Sequence, residues 1–519
     1  MFDNKFLFTH NKNDMKNSQK NNSENTEQTA TEIDMKSLTE KIEYIKTQTN
    51  QTKDLVVREI FCADKKLVIC YINEQAGEDK IQNFILRPLS LCKTSPQNIE
   101  FLQKNIILSG ETKFANDIDD AILEIIRGNT LVMLENDEKL LICTTIQVSQ
   151  RSVEEPPTSA VIYGPREGFV ENIKTNICLI RKRLPTTSLK IDEMVIGKYT
   201  KSKVSICYLK DIADGHVVEK IKTRLNAIDI DGILDAHYLI SFLEERKGSI
   251  FKQVGKTEKP DIAVAKMLEG RVVILVDNSP IALTLPFVVL EDLQNSDDYY
   301  QRSFRVGIVR FLRVVSLFMS ILLPGLYVAI QLYHYRIIPL KFLVSIINSS
   351  QGIPFTPFLE MIFVIVLFEI LFEASLRMPK YIGMALSVVG ALVLGDTAVK
   401  AGLISSPAVM IIALTGISFY TIPDQTSQIS ILRLLFTLVG GTIGLFGIVL
   451  AGTMLISYLV EFNGYSSPYL APYAPYIKND LKDGIFKQES IALNTRPLSI
   501  PNEKIVRKPH KNNTKSAKK

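Results

Sequence analysis

Apolar and polar positions alternate in short blocks through roughly the first 300 residues, then give way to long apolar runs. Residues 311–332 (FLRVVSLFMSILLPGLYVAIQL) form the first run, with one charge, Arg313, near its start. A helix of about 20 apolar residues crosses the roughly 30 Å hydrocarbon core of a bilayer, so a membrane helix is predicted here. Four more runs follow, at 355–376, 381–394, 403–422 and 429–460. The run at 381–394 is short for a span. The last, near 48 Å as a straight helix, is too long for one upright span and tight for two. A split at Gly440-Gly441 is therefore expected, giving an even number of crossings. Arg302, Arg305, Arg310 and Arg313 crowd the start of the first run. An excess of such residues marks the cytoplasmic flank of a span, which puts the polar N-terminal part on that side.

Within the polar part, period-2 and period-3.6 patterns alternate. Strands are predicted at 54–59, 67–72, 130–135 and 140–148, with a helix at 117–127. After a boundary at 150–160 (QRSVEEPPTSA), Phe169, Ile173, Ile177, Ile180 and Leu184 share one helix face. Strands at 194–196 and 203–209 come next, then helices at 217–225, 237–245 and 261–268, and a hairpin at 271–286. The reading is an α/β two-part soluble N-terminal region followed by an α-helical transmembrane domain. Its expected parts are a disordered leader at 1–35, soluble α/β domains at 36–150 and 151–300, a multi-span helical membrane domain at 301–475, and a basic, largely disordered tail at 476–519.

The net charge of +5 over 519 residues is too even to point to nucleic acid, and for the terminal KPHKNNTKSAKK two readings stay open, anionic lipid headgroups as a partner or plain solubility. Six cysteines, irregularly spaced, read as reduced core thiols rather than a zinc site or a disulfide frame. Residues 164–169 (GPREGF) before a helix with a basic face raise the thought of a phosphate site, but they lack phosphate-loop spacing, and a capped amphipathic helix explains them. Asp229, Asp231 and Asp235 (DIDGILD) read as turn and cap carboxylates, and His216 and His237 sit in no motif. No catalytic, cofactor or metal site is expected.

The chemistry that stands out lies in the run at 355–376, which keeps Glu360, Glu369 and Glu373 among apolar residues. An ionised carboxylate facing lipid costs several kcal/mol, so these must face protein or water. Glu369 and Glu373 lie about 40° apart around a helix, Arg377 extends their stripe, and Glu360 points to the opposite side. Two readings stay open: an acidic stripe along a cation path, or a structural ion pair of Glu373 with Arg377. All four residues are ion-path or coupling candidates.

Eight segments, in order over about 420 residues, carry a family likeness. They are 54–59 (DLVVRE), 164–169 with Thr175-Asn176 and Leu179-Ile180-Arg181, 229–235, 268–277 (LEGRVVILVD), 297–300 (DDYY), 352–355 (GIPF), 368–374 (FEILFEA) and 468–475 (PYLAPYAP). Together they resemble the A subunit of the spore nutrient-germination receptors of endospore-forming bacteria. Phe372 departs from the basic residue expected between the two glutamates.

The resemblance implies a subunit of the spore inner membrane, multi-pass, with its soluble region facing the cytoplasm or spore core. It implies partnership with a multispanning B subunit that recognises the nutrient and with a C subunit, a lipoprotein. It also implies a homo-oligomer that triggers release of ions, possible as a conducting ring, rather than an enzyme. The alternative is a polytopic solute or ion transporter subunit with a cytoplasmic regulatory domain, which would show internal repeats across its spans; none is evident.

Overall fold

The computed structural model describes residues 37–73, 75–146, 163–377, 397–489 and 491–507. Two five-stranded antiparallel sheets build the N-terminal region, and each buries both faces. The first contains β1 (Leu55–Cys62), β2 (Lys65–Ile72), β3 (Thr112–Ala115), β4 (Thr130–Leu134) and β5 (Leu140–Cys143), in the order β1-β2-β4-β5-β3. Helices α1 (Leu38–Gln48) and α3 (Ile118–Ile126) cover one face; α2 (Ile99–Asn105) and the helical segment 78–91 cover the other. The apolar run of β2 serves both layers by strand alternation. Leu67, Ile69 and Tyr71 pack on the α2 side, while Val68, Cys70 and Ile72 pack on the α1–α3 side.

The second sheet repeats this plan. Helix α4 (Ile173–Arg183) precedes β6 (Leu189–Ile196) and β7 (Ser202–Leu209). Helices α5 (Gly215–Asn226) and α6 (His237–Leu243), β8 (Gly255–Thr257), α7 (Pro260–Leu268), β9 (Val272–Val276) and β10 (Ala282–Leu285) follow. Its order, β6-β7-β9-β10-β8, is that of the first sheet. Here α4 and α7 cover one face, and α5 and α6 the other. Sequence follows topology: 126–136 (IRGNTLVMLEN) matches 268–278 (LEGRVVILVDN), and 65–72 (KKLVICYI) matches 202–209 (SKVSICYL). Gly128 and Gly270 both have positive φ, 98° and 105°, as do Asn136 and Asn278 at the following turns, 62° and 66°. Such backbone is accessible to Gly, and to Asn at modest cost, which explains their return at equivalent positions. The N-terminal region is a tandem duplication.

The two copies are joined by a buried ion pair. Arg181 of α4, 2% exposed, donates from Nε to Asp54 Oδ2 at 2.5 Å and from Nη2 to Thr52 Oγ1 at 3.4 Å. Asn50 and Lys210 add a polar rim: Asn50 Nδ2 donates to Thr187 O, and Lys210 Nζ to Asn50 Oδ1.

From Ser303 to Glu461 the described residues are mainly helical: α8 (Ser303–Tyr333), α9 (Leu340–Ser350), α10 (Pro357–Arg377), α11 (Ser406–Phe419), α12 (Thr426–Thr442) and α13 (Leu445–Glu461). Among them α8 alone is long and apolar enough to cross a bilayer as one helix. The helices Ser406–Phe419 and Pro423–Thr442 form a broken apolar pair, bent by 106°. The expected run at 381–394 lies outside the described residues.

The last run does split, but not at Gly440-Gly441. The break comes at Gly444, whose φ of 77° suits a residue without Cβ. Gly440 and Gly441 stay inside α12 because helices cross there. A Cβ on Gly440 would sit 2.5 Å from Gly325 O of α8, and one on Gly441 2.0 Å from Phe358 Cδ2 of α10. Small residues let two helix backbones approach this closely.

The tail also differs from expectation. Of residues 477–507, read as part of a largely disordered tail, the stretch 500–504 returns to the second sheet domain and 483–484 meet α8. Asn502 bridges to Ala213, Lys504 Nζ pairs with Asp211 Oδ2 at 2.6 Å, and Ile500 is buried with Val288 and Ala471. Gly270 allows this approach, since a Cβ there would meet Asn502 Cβ at 2.8 Å. Sparse apolar anchors and paired polar groups hold the segment, so no periodic pattern announces it.

Candidate functional site

The candidate carboxylates of α10 go to three separate environments. Glu360, in the first turn, is 2% exposed and accepts from Ser405 N at 2.5 Å. Ser405 caps α11, with its side chain accepting from Ala408 N. Glu360 therefore faces the positive end of a helix dipole, a favourable place for a buried acid. Its arrangement ties α10 to α11.

Glu369 accepts from Arg433 Nη2 and from Ser430 Oγ, both on α12. Arg433 is fully buried between the rings of Phe368 and Phe419, 5.0 and 5.4 Å from its guanidinium carbon. Its Nε and Nη1 make no hydrogen bond, so Glu369 and the aromatic faces carry most of its compensation. Phe372 fills the space beside this pair, 4.9 Å edge-to-face from Phe419. Glu373 and Arg377 form an i,i+4 pair at 2.5 Å, but both side chains are more than half exposed on the isolated chain. The pairing of Glu373 with Arg377 is present; the second pair, across helices, is Glu369 with Arg433. Sequence reasoning did not single out Arg433, although it is the one charge in the run 429–460.

A second cluster lies where the head meets α8. Asp298, 3% exposed, sits in a short turn capped by Asn295. It accepts from Arg310 Nε at 2.8 Å and from Arg313 Nη1 and Nη2 at 2.8 and 3.1 Å. Burial alone would raise the Asp298 carboxyl, but the bonds from Arg313 and Arg310 outweigh it and hold the group below the usual aspartate range. Arg310, 1% exposed, turns its Nη1 to Asp483 Oδ1 at 2.9 Å and to Gly484 O at 2.7 Å. Tyr299 OH donates to Asp483 Oδ2 at 2.8 Å. Lys487 Nζ closes the set by donating to Asp298 O at 2.8 Å. One guanidinium thus joins the head, the first turns of α8 and the segment after the last helix. The arginines expected to mark a membrane flank are, at positions 310 and 313, partners in this joint, Arg310 buried and Arg313 partly exposed.

Aromatic packing continues the contact. Phe251 and Phe287 of the head meet Phe462 and Tyr469, which follow α13, with Phe462 and Tyr469 edge-to-face at 5.0 Å. Tyr465 reaches into the core of the second sheet domain and donates to Leu243 O at 2.7 Å.

Other sequence candidates resolve locally. Helix α4 starts at Ile173 rather than Phe169, and Asn172 Oδ1 accepts from Lys174 N and Thr175 N, so its first amides are already occupied. Asp229 pairs with Lys198 at 2.9 Å, and Asp235 accepts from His237 N and Ser279 Oγ. Among the described residues no cluster of His, Cys, Asp and Glu could hold a metal.

Comparison with known proteins gives a consistent result. A family model described as the Bacillus/Clostridium GerA spore germination protein matches residues 43–499. Spore germination protein KA of Bacillus subtilis (strain 168) is 33% identical over 480 residues, covering 91% of this chain and 88% of the relative. The uncharacterized membrane protein YfkQ of the same organism is 35% identical over 465 residues, covering 89% of this chain and 90% of the relative. Among solved structures, the N-terminal domain of the A subunit of the Bacillus megaterium spore germinant receptor GerK3 matches with 25% identity and a TM-score of 0.38, over 49% of this chain and 96% of that one.

Proposed function

The chain belongs to the Bacillus/Clostridium GerA spore germination protein family, and we propose that it is the membrane subunit of a nutrient-germination receptor that couples germinant sensing to ion release. In this reading its helical part lies in the spore inner membrane, crosses it several times and assembles with further copies around an ion path. The N-terminal region faces the cytoplasm or spore core. A multispanning B subunit supplies nutrient recognition, and a lipoprotein C subunit completes the complex.

One observation carries the reading: the joint at Arg310, where head, α8 and C-terminal segment share one buried charge network. A shift of α8 in response to a partner would have to move the head with it. Within the bundle, Glu369 and Arg433 offer a charge pair whose separation would expose an acid and a base inside the helices. A packed element with two discrete arrangements is what such coupling requires.

The test is germinant-triggered cation release from spores carrying Glu369→Gln together with Glu373→Gln, with the subunit's abundance checked in parallel. Release slowed by about tenfold or more at normal abundance is the expected result. Unaltered release would remove these two carboxylates from the mechanism.

A further inference from the structure

The helix that follows α8 carries two open faces of opposite polarity. Helix α8 ends at Tyr333, and residues 334–339 alone separate it from α9 (Leu340–Ser350). The 11 residues of α9 make about 16 Å of helix, roughly half the hydrocarbon core of a bilayer, so α9 is too short to cross one.

At about 100° per residue, α9 divides into three sectors. Ile346 is buried, with Phe342 and Leu343 on either side of it, and marks the sector by which α9 rests on α11. Leu340, Val344 and Ile347 fall within about 60° of one another and are 76%, 47% and 51% exposed. Lys341, Ser345 and Asn348, all exposed, fill the next arc together with Ser349. Water does not suit the aliphatic sector, whose three adjoining side chains would keep their apolar surface wet. A dry protein groove does not suit the polar one, because Lys341 and Asn348 would lose water with nothing in return. A boundary between hydrocarbon and water suits both.

The surroundings of α9 agree. Tyr333 and Tyr335, each about half exposed, stand where α8 ends, and such rings with a polar tip settle at headgroup level. Arg336 and Lys341 are exposed and have no carboxylate partner among the described residues, which leaves both cations for lipid phosphates. A second copy packed against the same face would bring like charges together instead. We infer that α9 is an interfacial helix, laid along the phospholipid headgroup boundary of the leaflet that α8 reaches at Tyr333, with Leu340, Val344 and Ile347 turned to the acyl chains. This rests on the membrane placement proposed above, and the controls below separate the two.

The chain contains no tryptophan, so one introduced indole reports alone. Val344→Trp, Leu340→Trp and Ser345→Trp are each made in the full chain and reconstituted into vesicles of phosphatidylcholine and phosphatidylglycerol, with bromine on the acyl chains either near the headgroup or near the chain end. Phe318→Trp on α8 and Val449→Trp on α13, at positions 57% and 67% exposed, report whether the helices are embedded. An apolar helix face at an interface lies about 5–10 Å deep, so emission from Val344→Trp and Leu340→Trp should fall at least about twofold with bromine near the headgroup and less with bromine at the chain end. Ser345→Trp should respond to acrylamide in the water and not to bromine. If bromine quenches the α8 and α13 reporters but neither Val344→Trp nor Leu340→Trp, the inference is overturned while the membrane placement stands. Acrylamide quenching of that pair then assigns the face to water, and protection from both quenchers assigns it to a second copy. Quenching strongest at the chain end would overturn the inference by sinking α9 into the core. If bromine quenches no reporter, the membrane placement fails and takes the inference with it.

Discussion

Replacing Asp298 with Asn should loosen the joint between head and helices while leaving the distant first sheet intact. Asp298 takes three guanidinium bonds and one from Asn295 N, at 2.8 to 3.2 Å, from a position 3% exposed. Asn keeps one acceptor and turns an NH2 donor toward an arginine that is itself only a donor. Breaking a buried ion pair from one side costs about 3–5 kcal/mol. The lower end applies, because Arg310 keeps Asp483 and Gly484 and Arg313 is partly exposed. A loss of about 3 kcal/mol corresponds to roughly a hundredfold change in local opening. Amide hydrogen exchange of the full chain in nanodiscs reads it directly: amides at 298–313 and 480–487 should exchange about a hundredfold faster, with β2 and β4 unchanged. Less than about threefold acceleration at 480–487 would refute the view that Asp298 holds the segment through Arg310. The depressed carboxyl gives a matching pH test. A lowered folded pKa supplies stability that is present above the unfolded value near 3.9 and lost as pH falls through the folded one, so opening should also accelerate below about pH 4.

Three further outcomes follow from the geometry. Gly440→Leu forces α12 away from α8 by about 1 Å and should cost about 1–3 kcal/mol in thermal unfolding, whereas Gly452→Leu, with nothing within 4 Å of its Cβ position, should change little. Glu369→Gln leaves Arg433 buried without its anion and should destabilise by about 2–3 kcal/mol, but Glu373→Gln, at an exposed pair, by less than about 0.5 kcal/mol; equal melting temperatures would contradict this ranking. Burial, with the Arg271 and Lys252 charges, pulls the Lys266 amine down to about 7. The unfolded chain therefore binds a proton that the folded chain releases between about pH 7 and 10, stability should rise with pH across that window, and Lys266→Met should flatten the rise in melting temperature.

Much of the head could be read in advance because β-strand alternation and helix spacing are local signals. The hairpin around Asn278, the strands at 67–72 and 203–209 and the helix before Arg127 all appear where the pattern puts them. The duplication was equally present in the letters, in IRGNTLVMLEN and LEGRVVILVDN, but it shows only when the chain is compared with itself at a long offset. Two kinds of glycine explain the misplaced helix break. Gly444 turns the backbone and Gly440-Gly441 admits a neighbouring helix, and composition alone does not separate these uses. Of the charges, Glu373 with Arg377 was legible through i,i+4 spacing, whereas Glu369 with Arg433 joins residues on different helices. The same holds for Arg310 and Asp483, which no local rule connects.

That last contact closes a circuit. Asp298 precedes every helix of the C-terminal half and Asp483 follows them all, yet both grip one guanidinium. The stretch between is a loop whose two ends are pinned at a single point, so its helices cannot splay by drawing their termini apart. They can only tilt or rotate about that anchor, and each such motion bears on the second sheet domain rather than dissipating along a free end. The head is mounted on its helices like a handle on a clasped ring.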